Sequence, residues 1–434
     1  MAFVSRSAAE PPLLLRAVAD GDTARMLRLI RDADDTRTVI DAENEFGITA
    51  LSVACDNGDE LAVTALLASG ADPKQTTRGG EPILMSAARQ GNRKIVRLLI
   101  ECGADPNRKE PGGQNALMWA AAAGNLGAVE ALLDGGAKVM TSTEGGFDAW
   151  FFAARHGRTN VLGCLLQKGL AVNRVMQHKK TGGRRPRRAM SALLLALESG
   201  HFDTADWLLQ NGADPNDQRS GFAPLHALSW VRRPSRGDNP QGDPPPRTSG
   251  RISSLQFARR LLDAGADVDL ALENGKAGDA HFVPKGATPL IYASFTNDLP
   301  LMRLLVENGA DVNATKDDGS TPLLAASGIG IFVADEYPGT ENETVAAVEF
   351  LLEHGADIHA TTKKKESVMH GAAYRSFAIL VQQLAAAGAD PKVCNQKNHR
   401  GGRPMDIAKG RRPGSFKPNR KTQAAIADWL QTVP

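Results

Sequence analysis

Apolar residues along this chain come in paired short runs, each pair opened by a polar or proline-bearing segment and closed by glycine. The opening segments include Thr49-Ala50-Leu51, Pro82-Ile83-Leu84, Asn115-Ala116-Leu117, Ala223-Pro224-Leu225, Thr288-Pro289-Leu290 and Thr321-Pro322-Leu323. From Ala50 through Ile83, Ala116, Ala149, Ala192, Pro224, Pro289, Pro322 and Val368 to Pro404, the intervals are 33, 33, 33, 43, 32, 65, 33, 46 and 36. A 33-residue period with inserted material accounts for all of them. A second column of glycines closes the pairs, from Gly70 and Gly103 to Gly355 and Gly388. A third column, Gly47, Gly80, Gly113, Gly146, Gly221, Gly286, Gly319 and Gly401, precedes the opening segments, with Ala189 and Lys365 standing in at two repeats.

Each column has a mechanical reading. Thr or Ser before Pro is an N-cap hydroxyl with proline at the first helical position, where its missing N–H costs nothing. Leu84, Ala87 and Ala88 then form the buried stripe of a short first helix, and alanine lets a neighbouring repeat approach closely. Leu66-Leu67, Leu132-Leu133 and Leu351-Leu352 are the apolar pairs of a second helix, which glycine ends in the left-handed conformation. The Asp-Pro-Asn or Asp-Val-Asn after it is turn chemistry.

Thr321-Pro322-Leu323…Ala326 and Gly309-Ala310-Asp311-Val312-Asn313-Ala314 resemble the ankyrin repeat, and His226 and His370 sit at that motif's histidine position. The resemblance runs from about Pro11 to Pro434. It implies an all-α helical solenoid of about ten repeats with short β-hairpin-like finger loops. The expected organisation is one repeat domain over 1–434. Residues 1–46 form an atypical N-terminal capping unit, 47–400 the repeats, and 401–434 a C-terminal cap whose amphipathic helix around Gln423–Leu430 turns Ala425, Ile426, Trp429 and Leu430 inward.

Four insertions break the period, at 174–188, 231–252, 270–286 and 328–344, and insertions in such stacks map to loops. The first carries Lys179, Lys180, Arg184, Arg185, Arg187 and Arg188 beside Arg174, without an acid, and is a candidate anion-binding loop. The second is proline-rich at Pro240–Pro246, and the fourth is acidic, with Asp335, Glu336, Glu341 and Glu343. From Lys397 to Lys421 nine Lys/Arg face one acid, Asp406.

Composition changes this picture little. Net charge is +2, hydrophobic content 42% and aromatic content only 5%, as closely packed small helices require. Cys55, Cys102, Cys164 and Cys394 form no CxxC and no metal-ligand spacing, so inert buried thiols are expected. No stretch approaches the roughly 18 apolar residues of a membrane span. A cytoplasmic protein is expected, with a periplasmic or secreted one the alternative if the N-terminus is incomplete. There is no P-loop, no HExxH and no strand-linked GxGxxG, and the recurring double glycines are turn residues. No catalytic residue, metal or cofactor is expected.

The reading that remains is a non-catalytic, monomeric scaffold that binds another protein through a concave groove and the finger tips. Residues beyond the alanine pair, Arg89, Gln90, Arg155, His156, Phe295, Tyr374 and Arg375, are expected to face the groove, with Arg78, Phe222, Asp317 and Asp318 on the finger tips. Trp119, Phe152 and Tyr292 share the column beside that pair and are expected in the core. The alternative is binding of nucleic acid or another anionic surface through 174–188 and the basic C-terminal region.

Overall fold

The computed structural model describes residues 12–177, 189–234, 248, 250–273, 285–331, 339–411 and 417–431. Among the described residues the chain forms 24 helices and no strand. It divides into two compact units, Met1–Leu195 and Ala196–Pro434.

The first unit opens with a cap of three short helices, Leu13–Ala19, Thr23–Arg31 and Thr36–Ile40. Four helix pairs come next: Ala50–Asn57 with Glu60–Ala68, Ile83–Gln90 with Arg93–Glu101, Ala116–Ala123 with Leu126–Asp134, and Ala149–Arg155 with Thr159–Gln167. First helices pack on first helices and second on second. The seam between first helices is alanine: Ala87, Ala88, Ala120, Ala121, Ala153 and Ala154 are wholly buried. Leu66, Leu99, Leu132 and Leu165, one period apart, fill the second-helix layer and are equally buried. Each such leucine contributes about 1.5–3 kcal/mol on burial. No helix pair encloses this core alone, so each is stable only against its neighbour.

In the second unit the pairs are Pro224–Arg232 with Ser254–Asp263, Pro289–Phe295 with Leu299–Glu307, Pro322–Ser327 with Glu341–Glu353, Val368–Arg375 with Ala378–Ala386, and Pro404–Ala408 with Arg420–Leu430. Thr288 and Thr321 cap their helices as expected, each hydroxyl accepting the N–H of the residue three ahead, Ile291 or Leu324. The helix Glu341–Glu353 begins inside the segment expected to be an inserted loop. Thr340 and Glu343 supply a capping box there, which lets the helix take in the last four residues of that segment. The terminal helix starts at Arg420, earlier than expected, and buries Ala425, Ile426 and Trp429, while Leu430 is half-buried.

Between pairs, the chain makes short fingers. Antiparallel bridges at Thr76–Pro82, Lys109–Asn115 and Val175–Ser191 give three of them hairpin character. The Asp-x-Asn turns serve two purposes. The aspartate stays local: Asp105, Asp214 and Asp311 each accept the N–H two residues ahead at 2.8 Å. The asparagine reaches the next repeat: Asn107 donates to Gly136 O and accepts from Lys138 N, and Asn216 and Asn313 repeat this on Gly265/Asp267 and Gly355/Asp357. Ala189 and Lys365, which replace the turn glycine, hold the same left-handed backbone, at φ 53° and 59°. The motif histidines are structural. His226 Nε2 meets Ala287 O at 3.1 Å, and His370 Nδ1 accepts the Ser367 N–H at 3.1 Å.

Candidate interaction surface

Finger tips are tied to one another through the backbone. Arg78 N–H donates to Phe46 O at 2.9 Å, Asp317 N–H to Lys285 O at 3.1 Å, Lys363 N–H to Asp318 O at 2.8 Å and His399 N–H to Lys364 O at 2.9 Å. One period after Arg78 stands Pro111, which has no N–H to give. On the other side of this finger, toward the one at 143, the spacing of the tips loosens. A Cβ on Gly47, Gly146 or Gly286 would fall within 3.0 Å of the next finger's backbone, whereas one on Gly113 would stop 3.8 Å from Thr143.

At that point a cleft of about 740 Å³ opens between two fingers. Lys109 and Pro111–Gln114 line one wall and Ser142–Gly145 the other, with Phe147, Phe152 and Arg155 adjoining. Phe147 and Phe152 meet at 5.3 Å between ring centres, and the Arg155 guanidinium lies over the Phe147 ring at 5.6 Å. Arg155 is exposed and has no carboxylate partner among the described residues. Lys109 Nζ donates across the cleft to Ser142 O at 2.8 Å. One repeat earlier, Arg89 stacks over Trp119 at 5.4 Å while pairing with Asp56 at 3.3 Å and Glu81 at 3.8 Å.

Two of the three residues expected in the core column are therefore only partly covered. Trp119 and Phe152 are half-buried beneath or beside an arginine, and only Tyr292 is buried. Of the expected groove residues, Arg89, Gln90, Arg155 and His156 are exposed, as is Arg78 on its finger, paired with Glu43 at 3.2 Å.

In the second unit the expectation fails for four residues. Phe222 is wholly buried, edge-on to Trp230 at 4.9 Å. Phe295, Tyr374 and Arg375 are 6%, 8% and 2% exposed. Tyr374 Oη donates to Glu366 Oε1 at 2.6 Å, and Arg375 Nη1 to Gly339 O at 3.2 Å. The physical reason lies at the ends of the insertions. Gly328 and Gly339 fold over Arg375. Nearby, Arg232 makes a bidentate pair with Asp298 at 2.5 and 2.9 Å, and Arg233 bonds Asn297 O at 2.7 Å and Glu343 at 2.9 Å. Glu343, an acid of the fourth insertion, thus meets one cation of the same chain, Arg233; Asp335 and Glu336 lie outside the described residues.

Asp317 is exposed and pairs with Lys285 at 3.0 Å, and half-buried Asp318 pairs with buried Lys316. Burial pushes Lys316 down and works against ionised Asp318, yet the Lys316 ammonium holds the Asp318 carboxyl below its ordinary value. The candidate anion-binding residues Lys179, Lys180, Arg184, Arg185, Arg187 and Arg188 lie outside the described residues. Arg174, which adjoins them, is turned inward onto buried Asp148 at 2.6 Å.

Cys55 and Cys394 are buried, and desolvation raises both thiols, Cys394 to about 11. Cys164 is half-buried and Cys102 exposed, contrary to the expectation of four buried thiols. Among the described residues no three His, Cys, Asp or Glu side chains are grouped to hold a metal ion, and no helix is long and apolar enough to cross a membrane.

Comparison with known proteins agrees with this architecture. Models of ankyrin repeats match residues 14–110, 107–176, 193–231 and 290–333. Human ankyrin repeat and SOCS box protein 16 is 30% identical over 228 residues, covering 50% of this chain and 46% of that protein. Human ankyrin repeat and SOCS box protein 6 is 30% identical over 191 residues, 38% of this chain and 43% of the relative. The mouse B-cell lymphoma 3 protein homolog is 30% identical over 177 residues, 40% and 34% respectively. The chain thus spans less than half the length of each of these relatives. With the period, the paired helices, the fingers and these matches in agreement, the chain belongs to the ankyrin repeat proteins.

Proposed function

We propose that the chain is a non-catalytic scaffold that binds a partner protein through the finger side of its first unit. The contact set is Arg78, Arg89, Gln90, Trp119, Phe147, Phe152, Arg155 and His156. The observation that carries this reading is Arg155, exposed over Phe147 at the rim of a cleft beside half-buried Phe152. Aromatic and arginine side chains in a partly desolvated recess are the composition of interface anchors, each worth about 2 kcal/mol or more. The alternative of nucleic-acid binding through the 174–188 loop loses one cation, because Arg174 is committed to Asp148.

The test is affinity capture with the full chain and a Phe152→Ala/Arg155→Glu variant whose thermal unfolding matches the parent. Loss of the captured proteins from the variant is expected, with binding weakened about 30-fold or more if either anchor contributes as such residues do. Undiminished capture would remove this surface from the reading.

A further inference from the structure

On three finger tips, cations are neutralised within the fold. Arg78 faces Glu43, Lys285 faces Asp317 and Lys316 faces Asp318. Two tips of the second unit depart from this. The finger at 363–365 is Lys363-Lys364-Lys365, and the next finger carries Lys397, His399 and Arg400. More than thirty residues of sequence separate them, but the His399 N–H bond to Lys364 O at 2.9 Å sets the tips side by side. All six side chains are exposed. None of the five permanent cations is ion-paired to a carboxylate among the described residues, and the Arg400 Nε bond goes to His399 Nε2 at 3.3 Å. The acid next in sequence, Glu366, is half-buried and occupied by Tyr374.

We infer that these two tips form a second binding surface, for a short Asp/Glu-rich segment of a partner protein in extended conformation. Five like charges on adjoining turns repel one another, and a matching anion relieves that repulsion. Lysines on flexible stems suit carboxylates spread along a chain. Nucleic acid fits less well. The tips are turns, with no helix or ribbon to enter a groove, and among the described residues they expose no Phe, Tyr or Trp on which a base could stack, only the His399 imidazole, which accepts the Arg400 Nε bond. The preceding finger also bounds the surface: the Lys363 N–H bond to Asp318 O brings Asp318 and exposed Asp317 to its edge. A phosphate backbone continuing along the fingers would meet those carboxylates, whereas a short acidic segment ends before them.

The experiment measures fluorescence anisotropy of the full chain with three labelled probes at low salt: a Glu-rich peptide, a Lys-rich peptide of equal length and a DNA duplex. The Glu-rich peptide is expected to bind and the Lys-rich peptide not, and binding should weaken as the Debye length shrinks from about 30 Å to about 8 Å. Lys363→Glu/Lys364→Glu/Arg400→Glu should weaken it at least about tenfold, with Lys363→Gln/Lys364→Gln/Arg400→Gln in between. The Phe152→Ala/Arg155→Glu variant should bind the peptide as the parent does, which separates this surface from the one in the first unit. No peptide binding at low salt overturns the inference, as does equal binding by parent and charge-reversed chain. Tighter binding of the duplex through these same residues overturns it in favour of a nucleic-acid site. Should the reversed variant fail to fold, the glutamine variant decides: binding equal to the parent's overturns the inference.

Discussion

Arg155, Phe295 and Tyr374 occupy one register position of their repeats, six residues after Ala149, Pro289 and Val368. Arg155 is exposed beside a cleft, while the other two are under a tenth exposed. The helices are alike, and so are the turns directly after them, three residues after Arg155 and Phe295 and two after Arg375; the difference lies in the repeats that precede Phe295 and Tyr374. In the first unit the described pairs turn from first to second helix in two or three residues, and the end of the first helix stays open. In the second unit two pairs carry long insertions at that turn, and the ends of those insertions are held in place by Arg232, Arg233, Asp298 and Glu343. The same column is exposed in one unit and packed interior in the other.

The sharpest way to break the comparison is a pair of aspartates with one shared role. Asp59 and Asp298 are both N-caps of second helices, accepting from Ala62 N at 3.0 Å and Leu301 N at 3.3 Å. Asp298 alone also closes the bidentate pair with Arg232, whose side chain is 14% exposed. Asp59→Ala should cost about 1 kcal/mol, the value of a lost cap. Asp298→Ala should cost about 3 kcal/mol, because it also leaves a largely covered guanidinium with Ser254 Oγ and no carboxylate. Hydrogen exchange read separately over 60–68 and 299–307 checks this. Equal losses would mean that the network holds nothing that the cap does not.

A second difference should appear on acidification. His226 is wholly buried in the second unit, and desolvation lowers it from its ordinary 6.5 to about 4; burial lowers His370 as well. The folded state therefore stays neutral between about pH 6.5 and 4 while the unfolded chain takes up protons there. Stability is fully present above the unfolded value and falls as pH drops through that window, by about 3 kcal/mol for His226. The described histidine of the first unit, His156, is exposed. Acid should thus loosen the second unit first, and His226→Gln should flatten the pH dependence. An identical acid profile for the two units would contradict the assignment.

How much of this is legible in the sequence divides along the same line. The helix pairs, the caps, the fingers and the structural histidines are set by residues within one period, and local chemistry announces them. Burial of Phe295, Tyr374 and Arg375 is set by segments entering from outside the period, such as Gly339 over Arg375, and register alone carries no sign of that. Trp119 and Phe152 depart from expectation in the opposite direction. A large ring beside an alanine pair reads as core, but Arg89 covers the one and Phe147 flanks the other without enclosing them.

The smallest effect tests the fingers themselves. Lys365 holds φ 59° where Gly319, at φ 85°, serves the preceding finger. A side chain in that conformation costs about 1–2 kcal/mol, partly offset because glycine gives up more freedom on folding, about 0.5–1 kcal/mol. Lys365→Gly should therefore stabilise the chain by about 0.5–1 kcal/mol, and Gly319→Ala should destabilise it, since its Cβ would also sit 3.2 Å from Lys363 N. Removing one cation of five should at the same time weaken acidic-peptide binding by only a small factor. A lysine kept at this strained turn, against the glycine that most other fingers use, then has its explanation in charge and not in folding. Chemical denaturation and anisotropy on the one variant separate the two: stability gained with affinity unchanged would leave the lysine without a binding role.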